Sequence, residues 1–348
     1  MAIVTVIGAG QMGSALAFVA GENGNSVRLV GTPYDKEVID ECRKSGRHPK
    51  FERKFSGDYQ FFYIEQWEEA VKGCDYVVAG VSSYGVDWFL NDILTRMPVQ
   101  VPVVSAAKGL IETEDGNLIS YPLYWKRELL KMGIDREIYA LGGPGTADEI
   151  IHHDHTMVAV CGKDEKVRAL VSSSLGNSYF HVSTTSDSEG LEYAVAVKNA
   201  FALGIAIAIG YMSVTDEDST RNHYNTQAAV FYQAAKEMSI LLKSVGADYN
   251  SLLIGLGDLY VTVSGARTRK IGVLLGQGKT YDEAQKILGG MTLESVVVVR
   301  RLAASVEKRA QRGEVNIEDY PLLFYIMDIL DGNKHEDLPW NRFTFTVK

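Results

Sequence analysis

Apolar residues in the first half of the chain fall into short runs separated by helical repeats. Residues 3–7 (IVTVI) form a β-rich run, then Gly8-Ala9-Gly10-Gln11-Met12-Gly13 intervenes, SALAFVAGENG repeats at helical spacing, and a second run follows at 26–30. Further strand-like runs stand at 76–81, 101–105, 138–142 and 156–161, with helical patterns between most of them. That alternation predicts a mainly parallel sheet with helices on both faces. Between 183 and 189 the composition turns polar and acidic (STTSDSE), which places a domain boundary after residue 187. From there the periodicity is helical, at 191–210, 225–246, 250–264, 281–288, 294–313 and 317–330. The expected fold is therefore α/β plus all-α: a doubly wound N-terminal domain over 1–187, a helical domain over 188–330, and a partly extended tail over 331–348.

Composition narrows what such a chain does. It has 348 residues, 46% hydrophobic and 23% charged, which is enough for two globular domains. A formal charge of -9 argues against a nucleic-acid or anionic-membrane surface, which needs clustered cations. An anionic ligand would need a local positive pocket instead. Cys42, Cys74 and Cys161 stand far apart with no CxxC pair, and suit free thiols in a reducing cytoplasm. The N-terminus runs straight into the first strand, without the pattern of a secretion signal.

The glycine run carries the first specific chemistry. A GxGxxG loop after a strand and before a helix has a mechanism: Gly8 allows the turn, Gly10 admits a diphosphate to the backbone, and Gly13 lets helix and strand pack closely. The N-terminal domain is thus read as Rossmann-type, with a nicotinamide dinucleotide as cofactor. The second strand ends Val30-Gly31-Thr32-Pro33, without the acid that commonly meets the ribose 2′-hydroxyl of NAD. Thr32 as a donor, with the basic run Arg43, Lys44, Arg47, His48 and Lys50, favours NADP over NAD; Asp35, turned inward, would still serve NAD. Strand ends in such sheets face ligands, and here they carry Ser82-Ser83-Tyr84, Ser105 to Gly109 with Lys108, and Gly142 to Thr146.

The stretch 191–210 (LEYAVAVKNAFALGIAIAIG) is apolar on every helical face except at Lys198 and Asn199. The three- and four-residue neighbours of Lys198 are Ala194, Val195, Phe201 and Ala202, so no carboxylate on its own helix can reach it. The pair and Gly204 interrupt the apolar length a bilayer requires, so the stretch is read as a core helix, in which Lys198 is prepared for proton transfer by desolvation, is held charged by a distant acid, or snorkels to a rim. Asp258 and Thr262 share one helical face further on, and a basic cluster, Arg267 to Lys270, follows them. Such a cluster is either a phosphate clamp or a solvated run. His152, His153, Asp154 and His155 lack the spacing of a metal site and are expected to be polar turn residues.

Together these residues resemble the NAD(P)-dependent glycerol-3-phosphate dehydrogenases, over about residues 3–330. The resemblance rests on the GAGxMGSALA loop, Ser105-x-x-Lys108-Gly109, Gly143-Pro144 with Ala147, Val197-Lys198-Asn199, Gly257-Asp258-Leu259-x-x-Thr262, Arg267 and Leu275-Gly276-x-Gly278. It implies reversible hydride transfer between the nicotinamide and C2 of dihydroxyacetone phosphate or sn-glycerol 3-phosphate. Lys198 then matches the catalytic lysine, with Asp258 and Lys108 beside it in the chemistry. Lys108, Gly143, Asn199, Asp258, Thr262, Arg267 and Thr268 fall on the substrate side. The glycines Gly8, Gly10 and Gly13, with Gln11, Met12, Thr32, Arg47, Ala147, Arg267 and Glu294, fall on the cofactor side. A small phosphorylated substrate and a homodimer are the implied partners, and no metal is.

The sequence departs from the family pattern at Gly145, Ala266 and Thr268, all on the substrate side, and also at Gln227, which leaves room for a related phosphorylated polyol. Two other readings compete. A β-hydroxyacid dehydrogenase would share the glycine loop and the Lys-Asn pair, but would give the Arg267 cluster and the GDLxxT segment no task. A regulatory protein that only senses NAD(P) would have no reason to bury Lys198.

Overall fold

The first apolar run becomes strand β1 (Ile3–Ile7), and the repeat after the glycines becomes helix α1 (Gln11–Glu22), leading into β2 (Ser26–Val30) and α2 (Lys36–Ser45). The computed structural model describes residues 1–216, 221–290, 293–333 and 337–345. A small ribbon, β3 (Arg47–His48) with β4 (Arg53–Lys54), precedes β5 (Tyr59–Phe62), α3 (Trp67–Val71), β6 (Tyr76–Ala79) and α4 (Val86–Trp88). Strand β7 (Val103–Ser105) is followed by a hairpin, β8 (Leu110–Glu112) with β9 (Leu118–Ser120). Then come α5 (Tyr121–Lys131), β10 (Ile138–Gly142), α6 (Ala147–Ile151), β11 (Thr156–Cys161), α7 (Glu165–Leu175) and β12 (Phe180–Thr185).

Eight of these strands form one sheet in the order β12-β11-β10-β7-β6-β1-β2-β5. Every pairing is parallel except β10 with β11. The central strands are buried along their whole length, which is why they read as continuous apolar runs without alternation. Two edge strands escape the pattern. In β12 buried Phe180 precedes exposed His181, Ser183 and Thr184, so the stretch expected to be a polar linker is in part a strand with solvent on one side. β5, half-buried, gives a similarly weak signal.

The chain divides into two compact units, 1–108 with 120–192, and 109–119 with 193–348. A single cut after residue 187 is therefore too simple. The hairpin belongs with the second unit, where Arg301 and Lys308 hold Leu110 and Glu112, and Arg312 donates to the Asp115 carbonyl at 2.9 Å. The second unit contains α8 (Ser188–Thr215), whose first turn falls in the first unit, then α9 (Tyr224–Ser244), α10 (Tyr249–Ser264), α11 (Ala266–Gly276), α12 (Tyr281–Ile287), α13 (Glu294–Gln311) and α14 (Pro321–Leu330). The last helix starts at Pro321 rather than at 317, because proline suits a first helical position and a 3₁₀ turn precedes it. Leu338 and Phe343 of the tail are buried in the same core.

Helix α8 is long and apolar enough to cross a membrane by length and composition, yet 78% of its most apolar window is buried against protein. It is a core helix.

Two buried glutamates, one in each unit, have carboxyls shifted by burial. Glu192 accepts from Ser120 and lies 3.8 Å from the Cys161 sulfur, and burial pushes its carboxyl up to about 8. Glu237 accepts from the backbone N–H of Leu322 at 2.7 Å and of Leu323 at 3.0 Å, capping α14, which has no side-chain cap of its own. Burial pushes this carboxyl also up to about 8. Both folded values exceed the ordinary 4.5, so both groups take up protons on folding. Their contribution to stability is complete below pH 4.5 and is lost as the pH rises through about 8. Glu192→Gln should remove one of these terms, about 1 kcal/mol per pH unit across that window. Thermal melts between pH 5 and 8 check it: the variant should gain on the wild type as the pH rises, and a constant difference would contradict the assignment.

Candidate active site

The glycine loop lies where the strand order reverses, with β1 between β2 and β6. Its three glycines answer to three different constraints. Gly8 has φ +120°, and a Cβ there would fall 2.4 Å from the Gly80 carbonyl oxygen, at the end of β6. A Cβ on Gly13 would lie 2.1 Å from the Gly8 oxygen. A Cβ on Gly10 would meet nothing within 4 Å. The first two close the turn against α1, and the third keeps a cradle open at the start of that helix. Gly10 is also the N-cap of α1 and brings no side-chain cap, so the first-turn N–H groups, beside half-buried Gln11 and Met12, suit an anion such as a diphosphate.

At the end of β2 a cavity of about 470 Å³ is lined by Gly31, Thr32, Pro33, Lys36, Ile39 and Tyr63. The donor expected for a 2′-phosphate is committed elsewhere: Thr32 Oγ1 donates to Asp35 Oδ2 at 2.8 Å, and the Thr32 N–H donates to the same oxygen at 2.9 Å. Arg47 donates to the Glu52 carbonyl at 3.2 Å from an exposed position. Thr32 and Arg47, two of the residues behind the NADP expectation, therefore have protein partners. Asp35 is turned inward, as one alternative allowed. His48, next to Arg47, is the member of that basic run that reaches the glycine loop, with Nε2 3.4 Å from the Ala9 carbonyl oxygen.

Two further strand ends meet at Lys108 and Gly143, where the ammonium donates to the Gly143 carbonyl at 2.9 Å. Gly143 needs its φ of +142°, and a Cβ there would press on Val158. Both residues line a small, mostly apolar hollow with Met12, Leu16, Ala106 and Phe180. Ala147, buried, opens α6 behind its N-cap Thr146.

In the second unit the structure gathers Lys198, Asp258 and Thr262. Lys198 Nζ lies 2.7 Å from Asp258 Oδ1, with the side chains only 8% and 2% exposed. The ammonium also donates to Thr262 Oγ1, whose own proton goes to the Asp258 carbonyl at 2.7 Å. Thr262 therefore acts toward Lys198 as an acceptor only. The approach of α10 to α8 depends on Gly255, where a Cβ would fall 2.8 Å from the Ala194 Cβ. Gly255 sits one turn before Asp258, and Ala194 one turn before Lys198. Asn199 is half-buried beside Lys198, while Arg267 is exposed and Thr268 half-buried in the first turn of α11. Glu294 is exposed at the start of α13.

The histidine cluster is drawn apart. His152 bonds to the Asp148 carbonyl, His153 to Glu22 and His155 to His181. Among the described residues no three His, Cys, Asp or Glu side chains converge as metal ligands.

Comparison with known proteins agrees over nearly the whole chain. The family profile described as NAD-dependent glycerol-3-phosphate dehydrogenase N-terminus matches residues 3–168, and the profile for the C-terminus of the same family matches 187–338. The NADP(+)-dependent glycerol-3-phosphate dehydrogenase of Archaeoglobus fulgidus is 32% identical over 346 residues, 99% of each chain. The glycerol-3-phosphate dehydrogenase of Coxiella burnetii has the same fold, with a TM-score of 0.75 at 21% identity, covering 98% of this chain and 97% of that one. That of Plasmodium falciparum gives 0.81 at 16% identity, over 100% and 96%. A glycine cradle open only at Gly10 and a buried lysine paired with Asp258 stand in a chain matched over both halves by one family. The protein belongs to the NAD-dependent glycerol-3-phosphate dehydrogenases.

Proposed function

We propose that Lys198 is the general acid of the family's reaction, reversible reduction of dihydroxyacetone phosphate to sn-glycerol 3-phosphate by NAD(P)H. The observation that carries this is the ammonium at position 198, buried in an apolar helix and paired with Asp258 at 2.7 Å. The reduced nicotinamide supplies the hydride to C2. As the carbonyl π pair collapses onto oxygen, Lys198 gives that oxygen a proton, and it takes the proton back in the oxidising direction. Asp258 compensates the desolvated ammonium, and Thr262, an acceptor only, aims it.

Around this centre, Arg267 at the first turn of α11 takes the substrate phosphate, with Thr268, Asn199, Lys108 and Gly143 as further substrate contacts. Gly8, Gly10 and Gly13 with Gln11, Met12 and Ala147 hold the dinucleotide, Glu294 contacts it from α13, and Thr32 and Arg47 border its adenosine end. NADPH is favoured in this reading, in keeping with the NADP(+) dependence of the relative from Archaeoglobus fulgidus. Arg47 would leave the Glu52 carbonyl to meet a 2′-phosphate. The enzyme works in the cytoplasm, where its three free thiols stay reduced, as a homodimer. An exposed stripe on α10, Tyr249, Leu253 and Tyr260, supports the dimer.

Three measurements test the assignment. Lys198→Met alone would strip Asp258 of its cation, a change that costs about 3 to 5 kcal/mol at a buried pair, so it is combined with Asp258→Asn. The double variant should melt near the wild type and bind dinucleotide, while kcat falls at least about a thousandfold. More than a tenth of wild-type kcat in that protein would remove Lys198 from the chemistry.

Arg267→Leu should lose about 2 to 5 kcal/mol of kcat/KM for dihydroxyacetone phosphate with little change in dinucleotide affinity. An equal loss with an unphosphorylated ketone would instead assign Arg267 to the fold. Gly10→Val should keep the wild-type melting temperature and weaken dinucleotide binding at least tenfold, since its side chain enters only the cradle. Gly13→Ala should instead lower the melting temperature by several degrees, about 4 °C or more, because its Cβ meets backbone.

A further inference from the structure

Ala9, the middle residue of the Gly8-Ala9-Gly10 turn, is 1% exposed, so its peptide N–H and C=O must find partners inside the protein. The N–H finds Asp35, 26 residues on, at 3.0 Å, and the C=O faces His48, 39 residues on, at 3.4 Å. Neither side chain takes the partners its own position offers. Asp35 is the N-cap residue of α2, where an aspartate ordinarily accepts from the helix N–H groups, yet it makes no side-chain cap bond. Its Oδ2 instead gathers the N–H of Ala9, the N–H of Thr32 and the hydroxyl of Thr32. Bonds to an ionised carboxylate are stronger than neutral ones, so a single oxygen ties the glycine loop to the end of β2.

His48 is 2% exposed and stacks on Phe51 with ring centroids 4.6 Å apart. Burial holds its imidazole below the usual range, which makes it neutral at neutral pH. Facing a carbonyl oxygen, Nε2 must then carry the proton, which leaves Nδ1 bare, and among the described residues buried Nδ1 has no hydrogen-bond partner. The residue forfeits one bond and keeps the one to Ala9.

We propose that Asp35 and His48 are positioning residues that grip the Ala9 peptide from its two sides and fix the glycine loop for the dinucleotide diphosphate. The proposal rests on the reading that this loop holds the dinucleotide. It follows that neither residue reads the 2′ position: loss of either loosens the loop for NADH and NADPH alike. The end of β2 and the diphosphate cradle are also set as one piece, because Thr32 and Ala9 share the same carboxylate oxygen.

The test is titration of NADH and NADPH by fluorescence, with melting temperature and steady-state kinetics recorded on the same proteins. Asp35→Ala should raise both dissociation constants by the same ratio, about tenfold, as expected for lost bonds to a charged group. KM for dinucleotide should rise while kcat at saturation stays within about threefold. Asp35→Asn, whose amide oxygen can still accept from both N–H groups, should bind within about threefold of wild type. His48→Leu should weaken both dinucleotides about fivefold, and His48→Gln, which keeps a donor near Nε2, should restore them.

Opposite shifts for NADH and NADPH in Asp35→Ala would overturn the proposal and make Asp35 a reader of the 2′ position. So would wild-type binding in folded Asp35→Ala, or equal losses in Asp35→Asn and Asp35→Ala. Should Asp35→Ala not fold, the His48 pair decides: equal dissociation constants for His48→Leu and His48→Gln would refute the grip. Gly10→Val separates this outcome from failure of the underlying reading. If it binds dinucleotide like the wild type, the loop is not the site. If it loses binding while Asp35→Ala and His48→Leu keep it, only the positioning claim fails.

Discussion

A cation cannot be left alone in a hydrocarbon core, and the second unit is built around that constraint. Lys198 stands on a helix whose neighbouring side chains, Ala194, Val195, Phe201 and Ala202, are all buried. Compensation comes from another helix, where α10 passes close enough for Asp258 to touch the ammonium. Gly255 and Ala194 are small where the two helices meet, one turn before the charged pair, and a larger residue at either place would push the carboxylate away. Breaking such a pair costs far more than an apolar pair would ever have gained, so its presence is poorly explained by stability. The role proposed for Lys198, proton delivery to a substrate oxygen, gives the pair a reason to be there.

The first unit meets a different constraint, the approach of a charged diphosphate to backbone. A parallel sheet brings the ends of β1, β6, β7 and β10 to one edge, and at two of these ends the chain can only be glycine. Gly8 touches Gly80 across the reversal of strand order, and Gly143 touches Val158. These contacts leave no room for side chains, so the polar groups that define the loop are supplied from a distance by Asp35 and His48. Lys108 likewise takes a partner from a distant strand end, the Gly143 carbonyl.

Features encoded within a few neighbouring residues were legible in the sequence. The buried strands β1, β2, β6 and β10, the GxGxxG turn and the apolar character of α8 all follow from local pattern. The Lys198, Asp258 and Thr262 grouping was half legible: periodicity puts Asp258 and Thr262 on one face, but only the packing of α10 on α8 brings Lys198 to them. Contacts across long separations left no signal. Nothing near His48 marks it as a partner of Ala9, and its basic neighbours made it look like part of a phosphate-facing run. The edge strand β12 was hidden because most of its residues are exposed and polar, and the hairpin β8–β9 because its strands are three residues each, too short for a periodic signal. The partner of Thr32 was equally hidden: a hydroxyl has one proton, and Asp35 three residues on takes it.

The same local accounting bears on the departures from the family pattern. A side chain at Gly145, where serine is usual, would place its Cβ 3.1 Å from Thr156 Cγ2 and 3.4 Å from Ile150 Cδ1. Thr156 of β11 and Ile150 of α6 fill that space, so glycine there answers packing. Gln227, where a basic residue is usual, donates to the Asn222 carbonyl just before α9 and secures the start of that helix, a task a cation at that position would perform differently. Both changes thus have causes within their own surroundings. Neither removes a charge that the proposed chemistry uses: Lys198 and Asp258 are paired, Arg267 remains at the head of α11, and Lys108 stays on the Gly143 carbonyl. Glycine at 145 and glutamine at 227 are thus tied to local contacts, and the charged side chains of the proposed chemistry are all present in the chain.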